Sequence, residues 1–330
     1  TDKRIFVIAA ALRRKFNTEE ISHLTKINEL FIQKIKRIIE LEGVLTKDNA
    51  LVEDAVKLGL SLKRISRLTG QNIEDLEIKL RPTYEQVVPY APYFYSTHNS
   101  QEAPIKNFTN KRKIIVISSG PIRIGQGIEF DYCCCHAVDT LREEGIEAIM
   151  INNNPETVST DYDTSDRLYF EPLNLEDVEN VIEYENPEGV ILQFGGQTPI
   201  NLASDLKNKV KILGTSEESI AITEDRDKFS KFLNELDIRQ AKFGIAKTKE
   251  DAERIADEIG YPILLRPSYI LGGRAMRIVE NKQDLNYYIE EAIKASKKHP
   301  ILIDYFLENA LECEVDALSD GKEVYIPAIM

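Results

Sequence analysis

The residues with the strongest claim to chemistry lie in the carboxyl-terminal third of the chain. Arg266-Pro267-Ser268 closes a predicted strand, and Leu271-Gly272-Gly273-Arg274-Ala275-Met276 turns into the next. A guanidinium at a strand end beside a flexible Gly-Gly loop suits a phosphate. Arginine gives bidentate, charge-assisted hydrogen bonds, and the N–H groups of such a loop can close over phosphate oxygens. The plainer reading is a hairpin with a surface arginine. Downstream, Asp304-Tyr305-Phe306-Leu307 follows an apolar strand, and Glu312 stands five residues beyond Leu307. Backbone there can hydrogen-bond an adenine edge, and Glu312 can accept from ribose hydroxyls. Each feature alone reads as structural; together they have the span of a nucleotide.

Weaker signals lie upstream. Ser118-Ser119-Gly120-Pro121-Ile122-Arg123-Ile124-Gly125-Gln126-Gly127 and Phe194-Gly195-Gly196-Gln197-Thr198-Pro199 each join a predicted strand to a helix. A helix amino terminus favours an anion, but neither spacing is a dinucleotide fingerprint or a Walker loop, and tight strand–helix packing explains both about as well. Cys133-Cys134-Cys135-His136 cannot chelate one metal from one helix face, because adjacent residues point in different directions. Small buried thiols in a reducing compartment are the favoured reading. Asp161-x-Asp163-x-Ser165 has the start of a calcium loop but carries Asp166 where glycine belongs and Pro172 where the closing glutamate belongs, so it is rejected.

The elements that must position these groups fall into three styles. Residues 1–85 read as all-helical. Leu30, Phe31, Ile35, Ile38 and Ile39 form an apolar stripe, with Gly43 at the expected helix end. Ile21-Ser22-His23-Leu24-Thr25 recurs as Ile65-Ser66-Arg67-Leu68-Thr69, which implies two related helical hairpins. The stretch from Leu62 to Leu80 also has a helix-turn-helix outline, but Glu74, Asp75 and Glu77 make its second helix acidic where DNA contact wants basic residues. Residues 86–112 read as an extended linker with packed tyrosines. Residues 113–213 alternate strand and helix, the mark of a parallel sheet with helices on both faces. They include a capping box at Asn174 and Asp177 and one helix over 200–207. Residues 214–330 read as α+β with an antiparallel sheet whose strands include 311–318 and a run from Glu323 onward. The chain has 330 residues, 42% hydrophobic and 29% charged, with 42 basic and 55 acidic side chains and a net charge of −13. That composition excludes global disorder and argues against a general nucleic-acid binder. No apolar run reaches the ~20 residues of a membrane-spanning helix.

Pro121 to Cys134, Asn154 to Phe170, Gln193 to Pro199 and Arg266 to Met276 together resemble the large chain of the carbamoyl-phosphate synthetase family, and the resemblance extends over essentially the whole sequence. It implies a mixed fold: an all-α oligomerisation domain (1–85), a linker (86–112), an α/β pre-ATP-grasp domain with a Rossmann-like parallel sheet (113–213), and an incomplete α+β ATP-grasp domain (214–330). The order of domains, with the Gly125-Gln126-Gly127-Ile128-Glu129-Phe130 run after the helical one, points to the second synthetase half. That half phosphorylates carbamate with ATP.

The resemblance also assigns residues. Arg226 and Arg266 contact the phosphates, with Arg266 as the catalytic group. Gly272 and Gly273 form the loop above them, Tyr305 and Leu307 flank the adenine, and Glu312 meets the ribose. Glu129 and Glu156 line a tunnel that delivers carbamate. Mg²⁺ or Mn²⁺ is implied, with ligands expected beyond Met330, since Glu312, Glu314 and Asp316 make no credible cluster. Thr1 in place of Met and an apolar strand still running at Met330 suggest a piece of a longer polypeptide, expected to be inactive alone. The implied partners are a glutaminase small subunit and further copies of the helical domain, in the cytoplasm, without nucleic acid or membrane. The competing readings are another ATP-grasp ligase of the biotin-carboxylase kind, a non-catalytic assembly module, and a helix-turn-helix regulator.

Overall fold

The computed structural model describes residues 3–45, 51–72, 83–88, 91–98, 109–122, 126–267, 276–295 and 301–330. The chain divides into two compact units, Thr1–Ile122 with Ile128–Ile220 and Arg123–Gly127 with Ala221–Met330.

The first unit opens with five helices: α1 (Arg4–Arg13), α2 (Thr18–Thr25), α3 (Glu29–Leu45), α4 (Val52–Lys57) and α5 (Leu62–Thr69). The sequence echo is a structural repeat at a separation of 44 residues, with matching turns and hydroxyl hydrogen bonds. Lys15 and Gly59 are both left-handed, as are Lys26 and Gly70. Asn17 caps α2 by accepting from the Glu19 N–H, and Ser61 caps α5 by accepting from the Arg64 N–H. The Ser22 hydroxyl donates to the Ile27 carbonyl at 2.7 Å, and the Ser66 hydroxyl to the Gln71 carbonyl at 2.6 Å. Each copy has its own apolar cluster, around Ile8, Leu12, Ile21 and Ile32 and around Leu45, Ala55, Val56, Leu60 and Ile65. α3 serves both, which is why it does not stop at Gly43. An internal glycine costs a helix about 1 kcal/mol, whereas burying Leu45 beyond it returns about 1.5–3 kcal/mol. Residues 73–80, the acidic second helix of the helix-turn-helix outline, lie outside the described residues.

The last residues of the segment expected to be all-helical (83–85) and part of the stretch expected to be an extended linker are instead a hairpin. β1 (Thr83–Val88) and β2 (Ala91–Thr97) pair antiparallel, and β2 then pairs parallel with β5 (Arg167–Tyr169). Its tyrosines do pack: Tyr84 meets Tyr169 edge-on, with ring centroids 5.0 Å apart, and Tyr93 stacks on Phe170. That aromatic burial draws the segment onto the sheet edge.

The sheet runs β1-β2-β5-β4-β3-β6-β7, with β3 (Lys113–Ile117), β4 (Glu147–Ile151), β6 (Gly189–Ile191) and β7 (Ile212–Leu213). From β2 onward every pairing is parallel. The order reverses beside β3, between β4 and β6, which makes a topological switch point at the carboxyl ends of those strands. α6 (Glu129–Glu143), α7 (Leu175–Glu185) and α10 (Glu217–Glu224) accompany the sheet, and Asn174 caps α7 from its side chain as the capping box predicts. The single helix expected over 200–207 is two short ones, α8 (Gln197–Ile200) and α9 (Ala203–Leu206). At the amino ends of the strands, Arg167 bridges Glu147 and Glu185 at 2.8 Å each, and Lys113 reaches Glu185 at 3.1 Å. These buried pairs tie β3, β4 and β5 to α7 and leave little room for another strand order.

The second unit has a four-stranded antiparallel sheet, β10-β9-β11-β8, formed by β8 (Phe243–Ala246), β9 (Ile263–Pro267), β10 (Arg277–Val279) and β11 (Ile301–Tyr305). α11 (Arg226–Glu235), α12 (Lys249–Ile259) and α13 (Lys282–Ala295) belong to this unit, and α12 and α13 bury their apolar faces on the sheet in one cluster with Ile263, Leu265, Ile301 and Ile303. The strand expected over 311–318 does not form. That region has one bridge, Val315 to Ile329, and a short hairpin of β12 (Leu318–Ser319) and β13 (Val324–Tyr325), all of it exposed. An apolar strand without a third strand or helix to cover it has little to hold it extended.

Candidate functional site

Two arginines 40 positions apart in sequence meet on one carboxylate. Asp225 caps α11 by accepting from the N–H groups of Asp227 and Lys228, which places Arg226 at the first helical position. Arg266 lies on β9 opposite Leu302 of β11, and Asp304 lies opposite Leu264. Arg266 and Asp304 are therefore diagonal neighbours on one face of the sheet. The Arg266 Nε and a terminal nitrogen donate to Asp304 Oδ2 at 2.8 and 2.7 Å, and a terminal nitrogen of Arg226 donates to Oδ1 at 2.7 Å. The Arg226 guanidinium also lies 4.7 Å above the Phe243 ring. Phe243 is directly opposite Asp304 on β8.

Two cations share one anion, so the cluster carries a net positive charge. The Arg226 Nε is buried with no hydrogen-bond partner among the described residues. A buried unsatisfied donor beside a half-exposed cationic pair fits an anionic group such as a phosphate. Asp304 escaped sequence reasoning as a site residue. Its signal was a carboxylate inside the apolar run Ile301–Tyr305, and β11 buries it beside Ile303.

The other expected nucleotide contacts are distributed differently. Tyr305 ends β11, half-buried, and its N–H donates to the Lys242 carbonyl at 2.8 Å; the Phe306 N–H donates to the Pro262 carbonyl at 2.9 Å. Those two donors are engaged within the protein. Leu307 and Glu312 are exposed in the irregular stretch after β11, outside the arginine cluster. Gly272 and Gly273, with Arg274, lie outside the described residues.

In the first unit, Glu129 begins α6 and Glu156 follows β4, both exposed at the carboxyl end of the parallel sheet. The loops there are knit by side chains. The Gly120 N–H donates to Asn152 Oδ1 at 3.1 Å, Asn152 donates to the Ser159 hydroxyl at 2.8 Å, and the Ser159 N–H donates to Asp131 at 3.2 Å. The second glycine turn is explained by packing: a Cβ on Gly195 would sit 2.5 Å from the Ile117 carbonyl oxygen. Burial pushes the Cys134 and Cys135 thiols up to about 12, in the second case with help from Asp131, so both are poor nucleophiles at neutral pH. Among the described residues, no three His, Cys, Asp or Glu side chains are grouped to hold a metal. No helix among them is long and apolar enough to cross a membrane.

Residues 1–82 match the carbamoyl-phosphate synthetase large chain oligomerisation domain, residues 110–222 the carbamoyl phosphate synthase preATP-grasp domain, and residues 225–329 the carbamoyl-phosphate synthase L chain ATP binding domain. The carbamoyl phosphate synthase large chain of Methanothrix thermoacetophila is 53% identical over 353 residues, covering 100% of this chain. This chain belongs to the carbamoyl-phosphate synthetase large-chain family. The large chain of Methanothermobacter thermautotrophicus is 51% identical, again over 100% of this chain. In both cases the match covers 32% of the relative, so the chain spans about a third of the carbamoyl-phosphate synthetase large chains it resembles. Among solved structures, the biotin carboxylase domain of the Hydrogenobacter thermophilus 2-oxoglutarate carboxylase aligns at a TM-score of 0.52. The identity is 24%, over 67% of this chain and 50% of that one, which shows a shared fold and nothing finer.

Proposed function

We propose that this chain is a section of a carbamoyl-phosphate synthetase large chain and holds the phosphate side of the ATP site in its second synthetase half. The observation that carries the reading is the convergence of Arg226 and Arg266 on Asp304, with the buried Arg226 Nε left unpartnered. In the proposed step a carbamate oxygen attacks the γ-phosphorus of ATP, the bond to the β,γ-bridging oxygen breaks, and carbamoyl phosphate and ADP form. Charge builds on the transferring phosphoryl oxygens, and guanidiniums fixed in advance stabilise it without reorganising. Arg266 is the catalytic arginine and Arg226 its partner on the phosphates. Gly272 and Gly273 close over the nucleotide, Tyr305 and Leu307 flank its adenine, and Glu312 meets the ribose. A divalent cation, Mg²⁺ or Mn²⁺, supplies further charge neutralisation when bound; its ligands are assigned to the polypeptide beyond Met330.

Glu129 and Glu156 are assigned to the carbamate route. Carbamate decomposes in bulk water, which gives an enclosed path a chemical purpose. Carbamate itself derives from bicarbonate and ammonia, the latter from a glutaminase small subunit, and the product serves pyrimidine and arginine biosynthesis in the cytoplasm. The helical segment carries homo-oligomer contacts. The isolated 330-residue chain is expected not to make carbamoyl phosphate.

The reverse of the proposed step, ATP synthesis from ADP and carbamoyl phosphate, tests the assignment in the intact large chain. Arg266→Ala should lower that rate by about 10²–10³-fold, the usual cost of removing one transition-state donor. An unchanged rate would remove Arg266 from the mechanism.

A further inference from the structure

The helical repeat is built twice but covered once. In its second copy, Leu51, Leu60 and Leu68 pack with Ile38, Leu41 and Leu45, the carboxyl half of α3. The counterparts 44 positions earlier are Val7, Phe16 and Leu24. They are 63%, 48% and 71% exposed, whereas Leu60 is 8% exposed. The difference does not come from the backbone, because the left-handed turns and the Ser and Thr hydrogen bonds are the same in both copies and a side chain caps the second helix of each. Nor does it come from side-chain character, since all six residues are large and apolar. It comes from α3. The amino half of that helix, through Ile32 and Ile35, covers the first copy as the helix that follows it. Its carboxyl half covers the second copy as the helix that precedes it. Among the described residues no helix precedes the first copy, and exposed apolar side chains of this size in one repeat mark an interaction face.

We propose that Val7, Phe16 and Leu24 form the docking face for an amphipathic helix directly amino-terminal to α1 in the intact large chain. By the 44-residue pitch this helix is the counterpart of α3; the counterpart of Leu45 is Thr1, and those of Ile38 and Leu41 lie seven and four positions further towards the amino terminus, where the helix carries apolar side chains at that i, i+3 spacing. It lies against the first copy as α3 lies against the second. The proposal shares with the catalytic reading only the premise that this chain is a section of a longer one. It is independent of the arginine site.

Thiol labelling tests it. Phe16→Cys and Leu24→Cys are placed singly in the intact large chain, with Glu19→Cys as a control, because Glu19 and its counterpart Lys63 are both exposed. Maleimide modification of each site is followed by mass spectrometry of the tagged peptide. The same variants are made in a large chain whose roughly 25 residues before α1, a helix and loop of the size of α3 and its connection, are replaced by a Gly-Ser linker of equal length. Positions 16 and 24 should react at least about tenfold more slowly than position 19 in the intact chain, at every protein concentration, and as fast as position 19 once the linker is in place. Fast labelling at 16 and 24 in the intact chain would overturn the proposal. So would protection that disappears on dilution, which would assign the face to a second copy, or protection that survives the linker, which would assign it to another element. The labelling and dilution series need only the intact chain, so fast or concentration-dependent labelling there overturns the proposal even where the linker variant does not fold.

Discussion

A single carboxylate organises the candidate site. Asp304 accepts from both Arg226 and Arg266, and its removal would leave two guanidiniums facing one another without a counter-charge. Asp304→Asn should therefore destabilise the second unit by about 1–2 kcal/mol, a value moderated by the partial exposure of both arginines. Glu312→Gln, at an exposed position, should change stability by less than about 0.5 kcal/mol. Denaturant titration of the two variants checks the contrast, and equal effects would count against Asp304 as the organiser. A different group of carboxylates sets a pH dependence in the first unit. Burial pushes Glu171, Glu176 and Asp177 above the ordinary carboxylate range, and neighbouring acidic groups push Glu171 and Glu176 further. Glu171 is held by the Ser96 N–H and hydroxyl, and Glu176 by the Leu62 N–H at 2.9 Å. Between the ordinary and the raised values, the folded state keeps protons that the unfolded chain has released. Stability should therefore fall as pH rises from about 4 through that window. Glu171→Gln should flatten part of the fall, as read from urea midpoints across that range; an unchanged slope would show that Glu171 does not contribute.

At the scale of elements, the repeat provides its own control. The two left-handed turns are Gly59 and Gly70 in the second copy but Lys15 and Lys26 in the first. A side chain in that conformation costs about 1–2 kcal/mol, offset in part by the unfolded-state freedom that glycine adds. Lys15→Gly and Lys26→Gly should each stabilise the helical segment by about 0.5–1 kcal/mol, and thermal melting monitored by circular dichroism checks it. The elements most legible in the sequence were those whose ends carry local chemistry. Asn174 before α7 caps as expected, and Thr248 caps α12 in the same way, since a capping hydrogen bond spans only three residues. Elements decided by distant partners were misread. Gly43 read as a helix end, but the burial of Leu45 against the second copy carries α3 through it. Residues 83–85 read as the end of the helical segment and residues 86–97 as part of a linker, because the partner strand β5 lies about 75 positions away, where no local pattern announces it. The strand expected over 311–318 has the right alternation and no covering layer.

The molecule as a whole has separate cores. Ile149 and Ile151 belong to the cluster of the first unit, and Ile303 and Leu265 to that of the second. Each core has its own cooperativity, so Ile149→Ala and Ile303→Ala should each cost about 2–4 kcal/mol and lower different transitions in calorimetry. A single transition shifted equally by both would show that the units unfold together. Much of the architecture follows from local pattern, because hydrophobic periodicity and capping act over a few residues: helices first, then alternating strands and helices, then an antiparallel sheet. Residue types and spacing likewise marked Arg266, and the family resemblance marked Arg226. The tertiary structure alone decided that these two arginines meet and that Asp304 is where they meet. It also decided that the first hairpin exposes what the second one buries. Each of these depends on strands or helices brought together across tens of residues, and such pairing is set by the fit of whole surfaces.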